Sequence, residues 1–409
     1  MTVFTEILNR NPVHPFPARM APAIALKALA NCDPKRCLSV LDPMAGSGTV
    51  LAVAQKMGHR AYGFDTDPLA VLTARTWTTM IHLEEVSSSA ADVLQGARKI
   101  FDNVSLREAY PEDADNETRS FIRYWFDGRA RRELTSLSCA IRKVRNEEVR
   151  NILWCAFSRL IITKQGGASR AMDLSHSRPH RVFKRARMMP FDGFLIAVGR
   201  VARNCLSASE NEKLISASVE RVDARYLPLK SDSIDLVITS PPYLNAIDYI
   251  RCSKFSLVWM GYGIQSLRTI RSNNIGTEIK MVSGFKTKVI LDAMGKMGDL
   301  SALPERYQGI IERYLHDMYR VLSEIRRVVR PGGFGVLVIG NSSLRGTFVN
   351  NASGLRLLGE SVELIPVSRV TRRLPANRRY LPPPSVKASG PELASRLRTE
   401  TVLTFQAPY

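Results

Sequence analysis

Apolar and polar positions over residues 38–91 predict strand, helix, strand, helix in succession. Leu38-Ser39-Val40-Leu41 is a short apolar run of strand character, and residues 49–57 carry an apolar helical stripe that Gly58 ends. Ala61-Tyr62-Gly63-Phe64-Asp65 reads as the next strand, and Asp67-Pro68 opens a further helix with Asp67 as its N-cap. This is one βαβ unit, expected to be parallel and right-handed. Ahead of it, residues 22–30 form an Ala/Leu/Ile helix with proline in its first turn.

After about residue 91 that rhythm stops, and residues 110–209 are arginine-rich and mostly helical in period. Residues 164–187 break the period and read as a polar loop. The sheet resumes at residues 215–219 and continues in Ile234-Asp235-Leu236-Val237-Ile238-Thr239, apolar and β-branched as a fully buried parallel strand should be. Residues 244–263 look helical, and residues 264–299 show no clear period. A strong helix over residues 307–329 meets the turn Arg330-Pro331-Gly332-Gly333, which leads into a buried strand over residues 334–340. Residues 400–405 supply a last strand, after the proline run Leu381-Pro382-Pro383-Pro384. The division this implies is 1–95, an insertion at 96–209, and 210–409.

Composition is that of a globular chain, 45% hydrophobic and 23% charged over 409 residues, but the net charge of +20 is not ordinary. It suits a polyanion, either nucleic acid or an anionic membrane surface. No segment has the uninterrupted apolar length of a membrane span, and the N-terminus lacks the pattern of a secretion signal. Arginine and lysine gather at Arg123, Arg129, Arg131, Arg132, Arg142, Lys143 and Arg145, again at Arg178, Arg181, Lys184, Arg185 and Arg187, and at residues 369–379. Such runs are by default solvated faces, but Tyr124, Trp125 and Phe126 beside the first raise the prospect of docking a nucleic acid. Six cysteines without a CxxC pair and scattered histidines, save His176 and His180, give no expected metal site. Buried free thiols in a reducing cytoplasm account for the cysteines.

Two constellations carry chemistry. Asp42-Pro43-Met44-Ala45-Gly46-Ser47-Gly48-Thr49 runs from a strand into a helix through small residues that let the backbone approach a ligand. It lacks the third glycine of a dinucleotide fingerprint and the lysine of a phosphate loop. Asp65, closing the next strand, is positioned to accept from ribose hydroxyls. Ser240-Pro241-Pro242-Tyr243 ends the buried strand with a rigid corner, a polar side chain before it and an aromatic behind it. An exocyclic base amine is a poor nucleophile because its lone pair is delocalised into the ring. An acceptor on that amine, with a fixed backbone carbonyl, would stabilise the charge developing on nitrogen, and Tyr243 would stack on an extruded base. The plainer alternative is a proline-ended strand with a core tyrosine. Asp223 could receive an adenine amino group or be a simple turn residue. His14-Pro15-Phe16-Pro17 is an apolar turn that could close over a ligand, although a lone histidine is more often structural.

With these residues the chain resembles the DNA methyltransferases of exocyclic amino groups, the cytosine-N4 and adenine-N6 enzymes. The resemblance covers residues 14–70 and 223–340, and departs from the usual phenylalanine at Met44. It implies a Rossmann-like, seven-stranded, mostly parallel α/β sheet with a largely helical insertion, binding S-adenosyl-L-methionine. By this carry-over Ser240, Pro241, Pro242 and Tyr243 would be catalytic. His14, Phe16, Asp42, Met44, Ala45, Gly46, Ser47, Gly48, Thr49, Asp65 and Asp223 would hold the donor. Serine in the first position favours cytosine N4, since aspartate is usual in the adenine enzymes. The implied partner is double-stranded DNA, in the cytoplasm, with a cognate restriction endonuclease admitted. An RNA base methyltransferase, a small-molecule methyltransferase and an inactive binding module on the same fold remain open. Residues 96–209 and 264–299 are the two candidates for target recognition.

Overall fold

The computed structural model describes residues 3–17, 19–33, 35–172, 174, 179–207, 215, 217–244, 248–277, 287–374 and 399–409. His176, Arg178, Arg378, Arg379 and the run from Leu381 to Pro384 lie outside the described residues. The chain begins with α1 (Val3–Leu8), α2 (Pro22–Ala30), β1 (Ser39–Asp42), α3 (Thr49–Lys56), β2 (Arg60–Asp65) and α4 (Pro68–Thr78). Next come β3 (Met80–Ile81), α5 (Leu83–Asn103), α6 (Asn116–Trp125), α7 (Gly128–Arg142) and α8 (Glu147–Ile161). The short strands β4 (Ala171–Met172) and β5 (His180–Arg181) precede α9 (Pro190–Ala202) and β6 (Leu206–Ser207). The chain continues through β7 (Ala217–Arg221), β8 (Ile234–Thr239), α10 (Ile250–Leu257), α11 (Ile264–Asn273), α12 (Lys288–Lys296) and α13 (Glu305–Val328). It closes with β9 (Val329–Gly340), β10 (Ser342–Leu344), β11 (Thr347–Val349), α14 (Asn351–Ser361), β12 (Ile365–Arg373) and β13 (Thr399–Gln406).

A Rossmann-like seven-stranded sheet runs in the order β12-β13-β9-β8-β1-β2-β7. β9, β8, β1, β2 and β7 are parallel neighbours, and β13 lies antiparallel between β9 and β12. Period-two alternation divides the strand residues between two buried faces. Val40, Leu236, Ile238 and Val336 pack on one face, and Leu41, Val237, Leu337 and Ile339 on the other. The chain winds outward from β1 through β2 to β7, then returns to β8 on the opposite side of β1. The carboxyl ends of β1 and β8 therefore flank the topological switch point, where open α/β sheets hold ligands.

Residue 96, the expected start of the insertion, lies within α5, whose buried stripe is Val86, Ala90, Val93, Leu94 and Ala97. Other expectations are corrected. The insertion helices share one buried cluster with Val40 and Leu236 of the sheet, so they form a layer on it. The polar stretch 164–187 contains the antiparallel pair β4–β5. Residues 264–299 hold α11 and α12, which bury few side chains (Leu267 and Ile270; Ile290 and Ala293) and so leave a weak periodic trace. The turn at residues 330–333 is an irregularity within β9, whose pairing with β8 shifts between Ile234 and Leu236. All six thiols are free, but Cys37 is exposed and Cys32 and Cys139 are half-buried, against the expectation of buried thiols. Among the described residues no helix is long and apolar enough to cross a membrane, and no group of three His, Cys, Asp or Glu could hold a metal ion.

Candidate active site at the carboxyl edge of the sheet

β1 delivers Asp42 to the switch point, and β8 delivers Thr239 beside it. The Thr239 hydroxyl donates to Asp42 Oδ1 at 2.7 Å, and the Met44 N–H donates to the same oxygen at 3.2 Å. Asp42 is 3% exposed. Burial pushes its carboxyl up to about 7 against these two donors, with nearby Asp65 adding to the rise. The small-residue turn and the Ser-Pro-Pro-Tyr corner thus leave neighbouring strand ends, joined by a hydrogen bond one residue before each.

The turn itself is fixed by its small residues. Gly48 sits at φ +84, and a Cβ there would lie 2.9 Å from Ala74 Cβ, so a side chain is excluded by both backbone and space. Ala45 N–H donates to Phe64 O at 2.8 Å, and Gly46 N–H donates to Asp65 Oδ2 at 2.9 Å. Asp65 also accepts from Asp67 N–H at 2.9 Å, and its pKa is raised by burial in spite of these donors. Asp67 caps α4 through Leu69 N–H and accepts from the Ser253 hydroxyl of α10 at 3.0 Å. Burial, then the charge of Asp65, pushes Asp67 up to about 7. Three carboxyl groups with raised pKa values thus gather at the ends of β1 and β2. The buried hydroxyls of Ser47 and Thr49, at the N-terminus of α3, have no hydrogen-bond partner.

At the corner, the Ser240 hydroxyl donates to Val338 O of β9 at 3.1 Å. Its single proton is spent there, so towards any further group its oxygen can only accept. Pro241 is buried, and Pro242 and Tyr243 are half-buried. The Tyr243 ring lies against the end of β9, where a Cβ on Gly340 would come within 2.6 Å of ring atom Cε2. A strap formed by residues 272–277 crosses the same edge. Arg313 donates to Ser272 O, Arg225 donates to Asn273 O, and the Thr66 hydroxyl donates to Asn274 Oδ1 at 3.0 Å. Gly276 lies under the Tyr243 carbonyl.

The other expected residues are anchored differently. Both Asp223 oxygens accept from the Arg225 guanidinium, which also holds Asp317 of α13. Burial opposes the charge on Arg225, but these carboxylates outweigh it and raise its pKa. His14 is buried, and its Nε2 shares a 2.9 Å hydrogen bond with the Ser158 hydroxyl of α8, which donates on to Ser256 of α10. Burial first, then Arg159 and Arg19, holds this histidine well below its usual range. Phe16 packs on Tyr249 at the start of α10, with ring centroids 5.7 Å apart. Helix α10 therefore reaches both the His14 segment and Asp67. Sequence reading missed Thr239, Ser253 and Arg225, and treated Asp67 merely as a cap. Thr239 carried a signal in its place beside the corner, whereas Ser253 carried none. A surface hollow of about 460 Å³, lined by Lys99, Ile100, Asn103, Val104 and Glu108, contains none of these residues.

No protein-family model matches the chain. It is 21% identical over 365 residues to the Type II methyltransferase M.MvaI of Kocuria varians, covering 81% of this chain and 77% of that protein. It is 22% identical over 268 residues to the Type II methyltransferase M.BsoBI of Geobacillus stearothermophilus, covering 61% of this chain and 52% of that one. The chain thus spans about half the length of this second relative. Among solved structures, a SAM-dependent methyltransferase from Methanosarcina mazei aligns with 93% of this chain and 97% of its own at 9% identity, with a TM-score of 0.33.

Proposed function

We propose that this protein transfers the methyl group of S-adenosyl-L-methionine to the exocyclic amino group of a base in duplex DNA, with cytosine N4 the favoured target. The observation that carries the reading is the Asp42–Thr239 hydrogen bond, which joins the donor turn to the amine-polarising corner at the switch point. The two relatives named as Type II methyltransferases support the same class of reaction.

The residues present fit the donor. Asp65 would take the ribose hydroxyls, the turn at Met44, Ala45, Gly46 and Gly48 would line its approach, and Ser47 and Thr49 have unpartnered hydroxyls to offer. The bound cofactor supplies a methyl group already activated on a sulfonium, so positioning does much of the catalysis. Ser240, its proton committed to Val338, accepts a hydrogen bond from the target amine and draws the nitrogen lone pair out of conjugation. The Pro241 carbonyl accepts the second amine hydrogen, and Tyr243 stacks on the extruded base. A nitrogen–carbon bond forms as the carbon–sulfur bond breaks, and the methylated nitrogen then releases one proton to solvent. Serine at the corner, rather than aspartate, is what favours cytosine.

The test is incubation with labelled donor and either duplex DNA or RNA, followed by identification of the modified nucleoside. N4-methylcytosine in DNA is expected, N6-methyladenine would reassign the target, and label confined to RNA would reassign the substrate. Ser240→Ala removes one hydrogen bond to a developing charge and should lower turnover about 10- to 100-fold with donor affinity unchanged. Equal rates in parent and variant would remove Ser240 from the mechanism.

A further inference from the structure

The polar stretch 164–187 has the composition of a loop, yet backbone bonds anchor its described residues on either side of the β4–β5 pair. Arg170 N–H donates to Trp125 O at 2.8 Å, Val182 and Phe183 N–H donate to Arg170 O, and Arg187 N–H donates to Gly167 O. Ala186 N–H donates to Asp127 Oδ2 at 2.6 Å. These bonds hold the β4–β5 pair against the end of α6 as one surface. Tyr124 is 51% exposed there, and the Arg181 guanidinium lies 4.8 Å from its ring centroid. Exposed Met172 and Val182 flank the stack.

The cations on this surface are not matched by carboxylates. Among the described residues no ion pair involves Arg123, Arg170, Arg181, Lys184, Arg185 or Arg187. On nearby α10 and α11, Arg251 and Arg271 share Asp248, and Arg268 pairs with Glu117. The surface also adjoins the candidate active site. Phe121 and Trp125 of α6 pack edge-on against Phe255 of α10, at 5.1 and 4.9 Å between centroids, and α10 reaches Asp67 through Ser253. Helix α10 is the first helix after the Ser-Pro-Pro-Tyr corner.

We infer that the end of α6 and the β4–β5 pair form the seat for the sugar-phosphate backbone of DNA beside the target base. This inference rests on the function proposed above. The Tyr124 face holds the Arg181 guanidinium by cation–π contact and leaves its N–H edge for phosphate oxygens. Each unpaired cation that meets a phosphate releases condensed counterions, so the seat has a salt signature that paired arginines lack.

The experiment titrates a fluorescent duplex with full-length protein over a range of salt, comparing parent, Arg181→Gln/Arg185→Gln and the already paired Arg268→Gln. In the double variant the slope of log K against log salt should become less negative by about 2. Its KM for DNA should rise about tenfold or more, with kcat and donor affinity unchanged. Arg268→Gln should retain the parent slope. A double variant with the parent's slope and KM, in a protein that methylates DNA, overturns the seat and leaves the function standing. Loss of affinity for single-stranded RNA alone also overturns it. A parent that neither binds nor methylates DNA overturns both.

Discussion

Asp42→Asn should make the protein more stable at alkaline pH. The Asp42 carboxyl is buried with no cationic partner among the described residues, and burial pushes it up to about 7, against an ordinary value of 3.8. Between those values the native state holds a proton that the unfolded chain has released, so stability falls as pH rises and levels off above about 7. By pH 8 the accumulated cost is about 4 kcal/mol, whereas at pH 5 it is between about 1 and 2 kcal/mol. Asparagine is nearly isosteric and keeps an oxygen for the Thr239 hydroxyl and the Met44 N–H. The stability gap between variant and parent should therefore widen in favour of the variant by about 2–3 kcal/mol from pH 5 to pH 8. Urea unfolding at the two pH values, without donor, measures it. The variant should also bind S-adenosyl-L-methionine more weakly, and the rise in affinity between pH 6 and 8 expected of the parent should be blunted, because a cationic donor favours the ionised carboxyl. A gap that is the same at both pH values, or that favours the parent at pH 8, would refute the argument that this carboxylate is kept at a cost.

Gly340→Ala sets a methyl group within 2.6 Å of the Tyr243 ring, so ring or strand end must move. Turnover on DNA should fall about tenfold while donor affinity holds, since a displacement of about 1 Å at a reacting centre costs this much or more; kcat and Kd measured together check it. Arg225→Met leaves Asp317 buried without its main counter-charge and frees Asp223. Loss of about 3–5 kcal/mol is expected in urea unfolding, and amide exchange should quicken in residues 272–277, which lose the Arg225 bond to Asn273 O.

Elements that bury one continuous stripe or both faces were legible in the sequence. The run from Ile234 to Thr239 is apolar on both sides because β8 is covered on both. The strong helix α13 was legible for the same reason, with Ile311, Leu315, Met318, Leu322 and Ile325 buried along one side. Helix α11 was not, because it buries just Leu267 and Ile270 in a polar surround and is held by tertiary partners such as the Thr118 hydroxyl on Ile264 N–H. The α/β rhythm ends near residue 91 while the helical stripe of α5 continues to Ala97, so the rhythm alone does not mark where that helix stops. Nor does composition show the pairing of β4 with β5: residues 164–187 read as loop because the backbone partners of Arg170 and Ala186, Trp125 and Asp127, lie elsewhere in the chain.

The same distinction governs the site. Several residues singled out for their chemistry are held by partners far away in sequence that belong to no pattern. Asp42 is held by Thr239, 197 positions on, and Asp67 by Ser253, 186 positions on. His14 is held by Ser158, 144 positions on, and Arg225, which neighbours Asp223 in sequence and grips it, is itself anchored by Asp317 of α13, 92 positions on. A short pattern can name the group that carries a charge or a lone pair, but not the hydroxyl or guanidinium that sets its protonation state, because that partner is chosen by the fold. The consequence is specific to α10. One face of this helix joins Asp67 through Ser253 and the His14 segment through Ser256, and its other contacts reach the cation-rich surface through Phe255. A shift of α10 on seating DNA would thus be felt first at Asp67, a carboxyl poised near 7 and sensitive to the loss of one hydroxyl donor.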